Sequence, residues 1–394
     1  MTTNFNKLSF MIVYFSTTAV LVYLNTYLPV FFFNVLNVDR VKLSFIQLFS
    51  YAGLLLKPIF GFISDKYSIR NYKRKPYLIV SALILFLSFM GITFNLSELY
   101  IFGIFLCVNF IASSMLEVAT KGLLVDVSFS REEKTKNTFF TKIGAALGSM
   151  FPNVVFLFYF QNIYSVGAWT LFLSFSFLFL IPLVIFALFS SENERSSRAF
   201  SKENHSSQSG STPPKFKLSY ISICLFIFLL YGDKLFEFPL EPWIVDKFGE
   251  NQFYLFSLLM IIGIFVNMVG FFIGTYILKN INRKNIIAFC TALCGVFEIL
   301  FGFVSFFALL VLFAIVQILA GIISVNLSSL ILEFAKDKNV FYIQIIILFF
   351  SLSIIIFVPL GTFLSSFLAT EIIFILSGTI LVISLLPLSM VRIS

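Results

Sequence analysis

The sequence from Lys57 to Leu78 reads KPIFGFISDKYSIRNYKRKPYL and decides how the rest of the chain is organised. Its first residues end one apolar run, and its last residues begin another at Pro76. Between the two runs lie five basic residues: Lys66, Arg70, Lys73, Arg74 and Lys75. This pattern predicts a short loop between two membrane helices, and Lys and Arg beside helix ends keep such a loop in the cytoplasm. The loop therefore sets the predicted orientation of every other segment.

The composition is typical of a polytopic membrane protein. Of the 394 residues, 59% are hydrophobic and only 12% are charged, unlike an ordinary soluble domain. The net charge of +8 would suit nucleic-acid binding in a soluble protein, but here the basic residues cluster between apolar runs, where orientation explains them. The four cysteines lie inside apolar runs without a companion His or second Cys pair. We therefore predict no metal site and no cofactor.

Twelve apolar runs are long enough, at about 20 residues, to cross a bilayer as helices. They lie near residues 8–33, 43–65, 76–95, 99–126, 138–160, 166–190, 217–241, 252–278, 285–304, 308–332, 341–366 and 370–390. The predicted fold is all-α, with twelve transmembrane helices. With both termini in the cytoplasm, 20 of the 27 Lys and Arg residues fall on the cytoplasmic side and three fall outside. This bias predicts a multi-pass protein with both termini cytoplasmic. The expected location is the plasma or inner membrane, although the charge bias does not identify the membrane.

A polar segment divides the chain in two. Residues 191–216 are rich in Ser and charge and lack apolar periodicity, which predicts a disordered cytoplasmic linker. The linker would separate an N-terminal six-helix bundle, residues 1–190, from a C-terminal six-helix bundle, residues 217–394. The single histidine, His205, lies in the linker, which excludes a histidine-based proton relay inside the membrane.

The two halves also resemble each other. The loop after the second predicted helix has a weaker basic counterpart after the eighth, in residues 274–285. Likewise LLVD, ending at Asp126 after the fourth helix, matches LILE, ending at Glu333 after the tenth. Two related halves predict a binding site near the middle of the membrane, where the halves meet.

Charged residues inside the first half need partners or tasks, because each costs about 2.5–3.5 kcal/mol at the centre of a membrane helix on insertion scales. Lys57 precedes Asp65 by eight residues, so it lies about 12 Å deeper in the membrane at 1.5 Å per residue. Glu117 and Lys121 are spaced for an ion pair on the fourth helix. The pair either neutralises itself or contacts a substrate. Lys57 has no acidic partner on its own helix, so its charge would be balanced by Glu117, by an acid of the seventh helix or by an anionic substrate.

The seventh helix contains YGDKLFEFPLEPW, with Asp233, Glu237 and Glu241 on one face. Pro239 and Pro242 are predicted to break or kink it, which membranes tolerate where a cavity or neighbour satisfies the freed backbone. Acids beside such a break predict a cation or proton site lining a central cavity. We expect Asp233 and Glu237 to be internal, whereas Glu241 belongs either to the cavity or to the external loop.

The pattern of Gly61, three residues and Asp65, followed by Arg70 and the basic cluster 73–75, resembles the major facilitator superfamily of secondary transporters. Twelve helices and a polar central linker fit the same resemblance. The Lys-Pro before Gly61 and the closing RKPYL are most similar to the folate-biopterin transporter group, with sugar-cation symporters and muropeptide or acetyl-CoA permeases close behind. Members of these groups carry two acids one turn apart in the fourth helix, where this chain has Glu117 and Lys121.

The resemblance implies a secondary active transporter of a small polar or anionic organic solute that works by alternating access and symport with an ion or proton. The candidates for its substrate and ion cavity are the charged residues inside the apolar runs: Lys57, Glu117, Lys121, Asp233 and Glu237. The resemblance also implies a cytoplasmic gate formed by Gly61, Asp65, Arg70, Arg74 and Asp126. The basic residues of this set either belong to the gate or serve only to orient the chain. Glu298, on a peripheral ninth helix, is expected to pack against a polar neighbour. The implied partners are the solute, a coupling ion and the lipid bilayer, with the chain as a monomer.

Several alternatives remain at this stage. The solute could be pterin-like or folate-like, or a sugar, and the chain could be a receptor or scaffold on the same fold that transports nothing. An enzyme is disfavoured because the sequence offers no metal-ligand cluster, no phosphate-binding glycine loop and no soluble domain. A channel is disfavoured because no filter-like repeat is present. The glycines at positions 144 and 148, followed by Pro152, resemble an antiporter motif or serve helix packing.

Overall fold

The computed structural model describes residues 2–67, 69, 72, 74–127, 131–159, 165–189, 218–278, 281–335 and 340–391. Within these ranges the chain forms twelve helices, α1 to α12, and no β-strand. The all-α fold with twelve helices that the sequence predicts is therefore confirmed. The predicted linker at 191–216 lies outside the described residues.

The helices of the first half are interrupted at several points. α1 comprises Thr2–Val22, the π-helical turn Tyr23–Tyr27, Leu28–Val30 and a second π-helical turn, Phe31–Val35. α2 comprises Arg40–Tyr51, the 3₁₀ turn Ala52–Leu56 and Lys57–Lys66. The others are α3, Lys75–Phe94, α4, Leu99–Val127, α5, Arg131–Tyr159, and α6, Val166–Ser174 with Phe177–Phe189.

The second half repeats the pattern. α7 comprises Leu218–Leu230, the 3₁₀ turn Tyr231–Asp233 and Lys234–Phe248. α8 comprises Glu250–Phe272 and the π-helical turn Ile273–Ile277. The others are α9, Arg283–Phe301, α10, Phe306–Ala335, α11, Val340–Leu364, and α12, Thr370–Ile383 with Leu385–Met390.

Local sequence explains where several helices begin and end. Pro76 lies in the first turn of α3, where its missing N–H costs nothing. Asn282 caps α9 by accepting a hydrogen bond from the amide of Lys284 at 3.0 Å. A single residue, Gly249, separates α7 from α8 and has a φ of +88°, which a residue with a side chain rarely adopts.

Ten of the helices are long and apolar enough to span a membrane, counting only the described residues. They are the helices other than α7 and α8, and α8 contains the shorter apolar stretch Ser257–Phe272. α7 carries Asp233, Lys234, Glu237 and Glu241 in its middle. The chain is therefore an integral multi-pass membrane protein, and α7 carries the charged residues that the sequence singled out.

The described residues form two compact units whose boundaries cut through helices. Unit 1 holds residues 2–23, 49–152 and 166–189, whereas unit 2 holds 24–48, 153–159, 165 and 218–391. Unit 2 thus contains the ends of α1 and α5 and the start of α2 together with α7 to α12. Its hydrophobic core joins α7, α9, α10, α11 and α12, and includes the free thiols of Cys290 and Cys294. The division into bundles 1–190 and 217–394 stays a prediction.

Candidate functional site

Three charged side chains of unit 1 form one connected group, which we call the lysine–glutamate chain. Lys57 of α2 places its Nζ 2.8 Å from Oε2 of Glu117, and Lys121 places its Nζ 2.5 Å from Oε1 of the same carboxylate. Lys57 begins the last segment of α2, directly after the 3₁₀ turn. Gly53 in that turn brings the backbone of α2 against the backbone of α4 at Ile111. The close approach of the two helices lets Lys57 reach Glu117.

The lysine–glutamate chain carries more positive than negative charge. Tyr14 of α1 and Lys142 of α5 both interact electrostatically with Lys121. The local count is three lysines to one glutamate among the described side chains. Lys57 is 11% exposed and Glu117 28% exposed, so the group is shielded but not sealed. Such a group can hold an anion by charge-assisted hydrogen bonds.

The structure resolves one open question about this group. In the structure the partner of Lys57 is Glu117, which also pairs with Lys121. The predicted Glu117–Lys121 pair is therefore part of the lysine–glutamate chain. Glu117 precedes the end of α4 by ten residues, which places it about 15 Å from that end at 1.5 Å per residue. Lys57, predicted to lie about 12 Å from Asp65 along α2, is thus paired with an acid at a similar distance from the end of α4.

Arg74 contacts α2 and α4 near the helix ends that adjoin the basic loop. It is buried, and its Nη1 donates a hydrogen bond to Oγ of Ser64, at the end of α2, at 2.5 Å. Its guanidinium also lies against α4 at Gly122, where any side chain would collide with it. Asp65 follows Ser64 directly in the chain, and Asp126 follows Gly122 by one turn.

The remaining predicted gate residues are placed only in part. Gly61 is buried in the Lys57–Lys66 segment of α2. Asp65 and Asp126 lie on α2 and α4, but their side chains, like Arg70 altogether, lie outside the described part of the chain. The gate as a whole stays a prediction.

In unit 2, α7 does not break at its prolines, so of the predicted break or kink the break is wrong, and the kink stays a prediction. The helix continues through Pro239 and Pro242 to Phe248, and its irregular turn is Tyr231–Asp233, before both prolines. Pro239 cannot donate to the carbonyl of Leu235, four residues earlier. Gly361 of α11 packs directly on that carbonyl, where any Cβ would overlap it. A neighbouring helix thus covers the freed backbone group, and the helix continues.

The acids of α7 are internal, as expected for Asp233 and Glu237. Glu237 forms an ion pair with Lys234 at 3.1 Å and accepts a hydrogen bond from Nδ2 of Asn25 on α1 at 3.4 Å. Asp233 interacts electrostatically with Lys234 and Glu237, and its Oδ1 is buried without a hydrogen-bond partner among the described residues. Glu241 is 3% exposed, so of its two possible locations the structure selects the interior.

Glu298 of α9 lies beside the same acids. It is 2% exposed, and its Oε2 is 2.7 Å from Oγ of Ser377 on α12, which confirms the predicted polar neighbour. It also interacts electrostatically with Asp233 and Lys234 of α7. Sequence reasoning missed this proximity, because Glu298 and Asp233 are far apart in the chain and no pattern links them.

A second set of contacts missed by sequence reasoning joins segments of the two sequence halves inside unit 2. We call it the inter-half tie. It comprises hydrogen bonds from Asn34 Nδ2 to Asp246 Oδ1 at 2.7 Å, from Arg40 Nη1 to the Ser365 carbonyl at 2.7 Å, and from Tyr27 Oη to Ser257 Oγ at 3.4 Å. All of these residues lie toward the helix ends opposite the basic loops.

No group of three or more His, Cys, Asp or Glu residues is placed to hold a metal ion in the ranges that the structure describes.

Residues 9–338 match the family described as MFS/sugar transport protein. The chain belongs to this family of the major facilitator superfamily. The family is one of transport proteins, which accounts for the helix count and the Gly61–Asp65 pattern together.

Two relatives from malaria parasites have similar sequences. Folate transporter 2 of Plasmodium falciparum (isolate 3D7) is 38% identical over 74 residues, covering 18% of this chain and 16% of that protein. Putative folate transporter 2 of Plasmodium berghei (strain Anka) is 26% identical over 259 residues, covering 64% of this chain and 54% of that protein. The match thus spans about half, or less, of each relative's length.

Solved structures of the superfamily share the fold of this family member. The inward-open xylose transporter XylE from E. coli gives a TM-score of 0.74 at 11% identity, covering 98% of this chain and 95% of that chain. A D-xylose-proton symporter gives 0.70 at 11% identity, covering 98% and 96%. Because the sequences are only 11% identical, the similarity to these two structures shows the fold alone.

Proposed function

We propose that the chain is a secondary active transporter of a small anionic organic solute of the folate or pterin class, coupled to protons and working by alternating access. The observation that carries the proposal is the lysine–glutamate chain, a group of net positive charge inside the membrane-spanning part of unit 1. Basic side chains held there need an anion to balance them, because unbalanced charge in the membrane is costly.

The geometry of the lysine–glutamate chain suits a carboxylate. Glu117 uses one oxygen for each lysine, which fixes both ammonium groups while leaving their other protons free to donate. Lys121 is 43% exposed, so an incoming carboxylate can reach it. Lys142 adds a further positive charge nearby. A neutral solute would leave this excess charge uncompensated.

The relatives support the same class of solute. Both carry the name of folate transporters, and folate combines a pterin ring with carboxylates. A sugar is the second candidate, favoured by the description of the matching family. The charge count at the lysine–glutamate chain favours the anion, and transport assays with both solutes decide between them.

Alternating access requires contacts that form on one side of the membrane and break in the cycle. The inter-half tie is such a set of contacts. We assign the basic loops to the cytoplasm from their charge, together with both termini and a plasma or inner membrane, so the tie belongs to the outer side. Cysteines placed at the exposed positions Asp39 and Tyr67 test this orientation. An impermeant thiol reagent should label the first in intact cells and the second only after permeabilisation.

Uptake of radiolabelled folate by proteoliposomes, with unlabelled folate inside, tests the proposed function. Lys57→Gln and Lys121→Gln should each lower uptake about 10- to 100-fold, because a hydrogen bond to a charged group contributes about 1.5–3 kcal/mol. Lys42→Gln is the matched control, since Lys42 is exposed at the start of the same helix α2.

The possible results separate the candidate functions. Folate uptake that fails in the two lysine variants but persists in the Lys42 control supports the anion transporter. Uptake of labelled xylose that is indifferent to both lysines indicates the sugar transporter instead. A chain that binds folate in a thermal-shift assay yet never moves it across the membrane would be a receptor or scaffold, and the proposal would then be wrong.

A further inference from the structure

Ser377 of α12 lies between two hydrogen-bond acceptors. Its fully buried Oγ is 2.7 Å from Oε2 of Glu298 on α9 and 3.2 Å from the carbonyl oxygen of Gly232 on α7. A serine hydroxyl has one proton to donate, while a carbonyl and an ionised carboxylate have none. With Glu298 ionised, three oxygens in two close pairs would share a single proton. One further proton, on Glu298, supplies a hydrogen to both pairs.

We propose that Glu298 binds a proton and donates it in a hydrogen bond to Ser377, that Ser377 in turn donates to Gly232, and that this is the proton coupled to transport. The part concerning coupling rests on the proposed function, whereas the part concerning proton binding stands on the contacts alone.

The surroundings of Glu298 favour its neutral form. The charged groups that interact with it are Asp233 and Lys234 of α7, and Lys234 is already paired with Glu237. The thiol of Cys294, one turn earlier on α9, is the other titratable neighbour. α10 and α12, which also pack on α9, add no charged side chain beside Glu298 in the part of the chain described. A second buried carboxylate charge next to Asp233 would be repelled.

α9 and α12 form a rigid frame around this proton. They cross at Gly295 and Gly378, where each backbone carbonyl abuts the other glycine and any Cβ would overlap it. Glu298 and Ser377 flank this crossing, so their separation is set by backbone packing. Gly232, in contrast, belongs to the irregular turn of α7, where the Lys234 amide is shared between the carbonyls of Tyr231 and Gly232.

Release of the proton would change what holds the irregular turn of α7. The O–H bond of Glu298 breaks, and the proton passes to water. The Ser377 hydroxyl then donates to the Glu298 carboxylate, because a hydrogen bond to an ionised group is the stronger one. Gly232 loses its side-chain donor, and the turn that carries Asp233 loses its hydrogen bond to α12, while the contacts of Trp243 and Lys247 with Glu371 remain. The protonation state of Glu298 thereby decides whether Ser377 holds the irregular turn of α7.

Infrared spectroscopy tests proton binding without any transport. The purified wild-type protein at neutral pH should show a carboxylic-acid carbonyl band that loses one component in Glu298→Gln, while the internal acids Asp233 and Glu241 can supply the rest of the band. Glu371→Gln, at the start of α12, is the matched control and should keep the band, because Glu371 is paired with Lys247. A carboxylic-acid carbonyl region that is the same in Glu298→Gln as in the wild type would show that Glu298 is ionised and would overturn the proposal.

The coupling part is tested by folate uptake into proteoliposomes with and without an imposed pH gradient. The ratio of the two uptakes should fall to one in Glu298→Gln, whose side-chain amide donates permanently to Ser377, and in Ser377→Ala. Ser377→Thr keeps the hydroxyl and should restore the dependence, and Glu371→Gln should keep the wild-type ratio. A wild-type ratio in Ser377→Ala would overturn the coupling role, and this variant decides the matter if Glu298→Gln does not fold.

The two sets of measurements distinguish the failure of each proposal. If the wild type takes up no folate and no xylose, the proposed transport function fails, and the infrared band still decides whether Glu298 binds a proton. If the wild type transports folate and its uptake ignores the pH gradient, coupling through Glu298 is wrong while transport stands.

Discussion

At the scale of single residues, Glu117 is the acid on which unit 1 depends most. One carboxylate oxygen contacts Lys57 and the other contacts Lys121, so removing the acid leaves two lysines without their partner. Lys121 is the more exposed of the two and can turn toward water, whereas Lys57 is 11% exposed and cannot. Most of the cost of losing Glu117 therefore falls on Lys57.

This asymmetry predicts the result of a double-mutant comparison. Glu117→Gln should lower the free energy of unfolding by about 1–3 kcal/mol, the cost of leaving a buried polar group unsatisfied. Adding Lys57→Gln should recover part of that loss, because it removes the stranded charge. Thermal unfolding in detergent measures both variants. Equal stability of the single and the double variant would show that Lys57 does not depend on Glu117.

The residue scale also shows the limit of sequence reasoning. Spacing identified the Glu117–Lys121 pair, because residues four apart on a helix are neighbours. Spacing could not assign Lys57 to Glu117, or Glu298 to Ser377, because these partners lie on different helices. The cost of a charge inside an apolar run nevertheless identified which residues needed a partner.

At the scale of elements, close helix packing explains the glycines of α5. Gly144 and Gly148 lie against the backbone carbonyls of Met11 and Phe15 on α1, and a Cβ at either position would overlap the carbonyl. Of the two interpretations of the spacing, helix packing is thus the one that the contacts confirm. Small residues four apart let two membrane helices approach to backbone contact.

This packing predicts a large effect from a small substitution. Gly148→Ala should lower the free energy of unfolding by about 1–3 kcal/mol, the usual range for overpacking a tight contact. Gly263→Ala is the matched control, because its Cβ would lie 3.2 Å from the ring of Phe313, a side chain that can adjust. Thermal unfolding of the two variants in detergent checks the difference. A Gly148→Ala variant as stable as the control would contradict the packing role.

α7 shows where an element could not be predicted from its own sequence. Two prolines within four residues predicted a break or a kink, since each removes a backbone hydrogen bond. The helix continues through both, and Gly361 of α11 packs on the carbonyl that Pro239 leaves without a donor. The irregular turn falls instead at Tyr231–Asp233, where Ser377 supplies a donor. Both compensating residues lie far away in the chain.

At the scale of the whole molecule, the two compact units do not coincide with the two sequence halves. The ends of α1 and α5 and the start of α2 belong to unit 2, where the inter-half tie binds them to α7, α8 and α11. Under the proposed alternating access, such contacts must break in each cycle. The inter-half tie is therefore where the proposed cycle can be arrested.

A cross-link across the inter-half tie should block transport. Asn34 and Asp246 meet at 2.7 Å, so the double variant Asn34→Cys with Asp246→Cys can be joined by a short bifunctional thiol reagent. Folate uptake should stop on cross-linking and return when a cleavable linker is reduced. Asn34→Cys alone, treated in the same way, controls for modification of the native cysteines. Uptake that continues in the cross-linked double variant would show that the tie stays closed throughout the cycle.

The amino-acid sequence by itself determined that the chain is a multi-pass membrane protein of twelve helices, and it showed which charged residues inside them need a partner. Hydrophobicity and charge are local properties, read within the length of one helix, so these features require no knowledge of packing. Only the tertiary structure decided which partners meet: Lys57 with Glu117, Ser377 with Glu298 and Asn34 with Asp246. The last two pairs are 79 and 212 residues apart, and such side chains become neighbours only through helix packing.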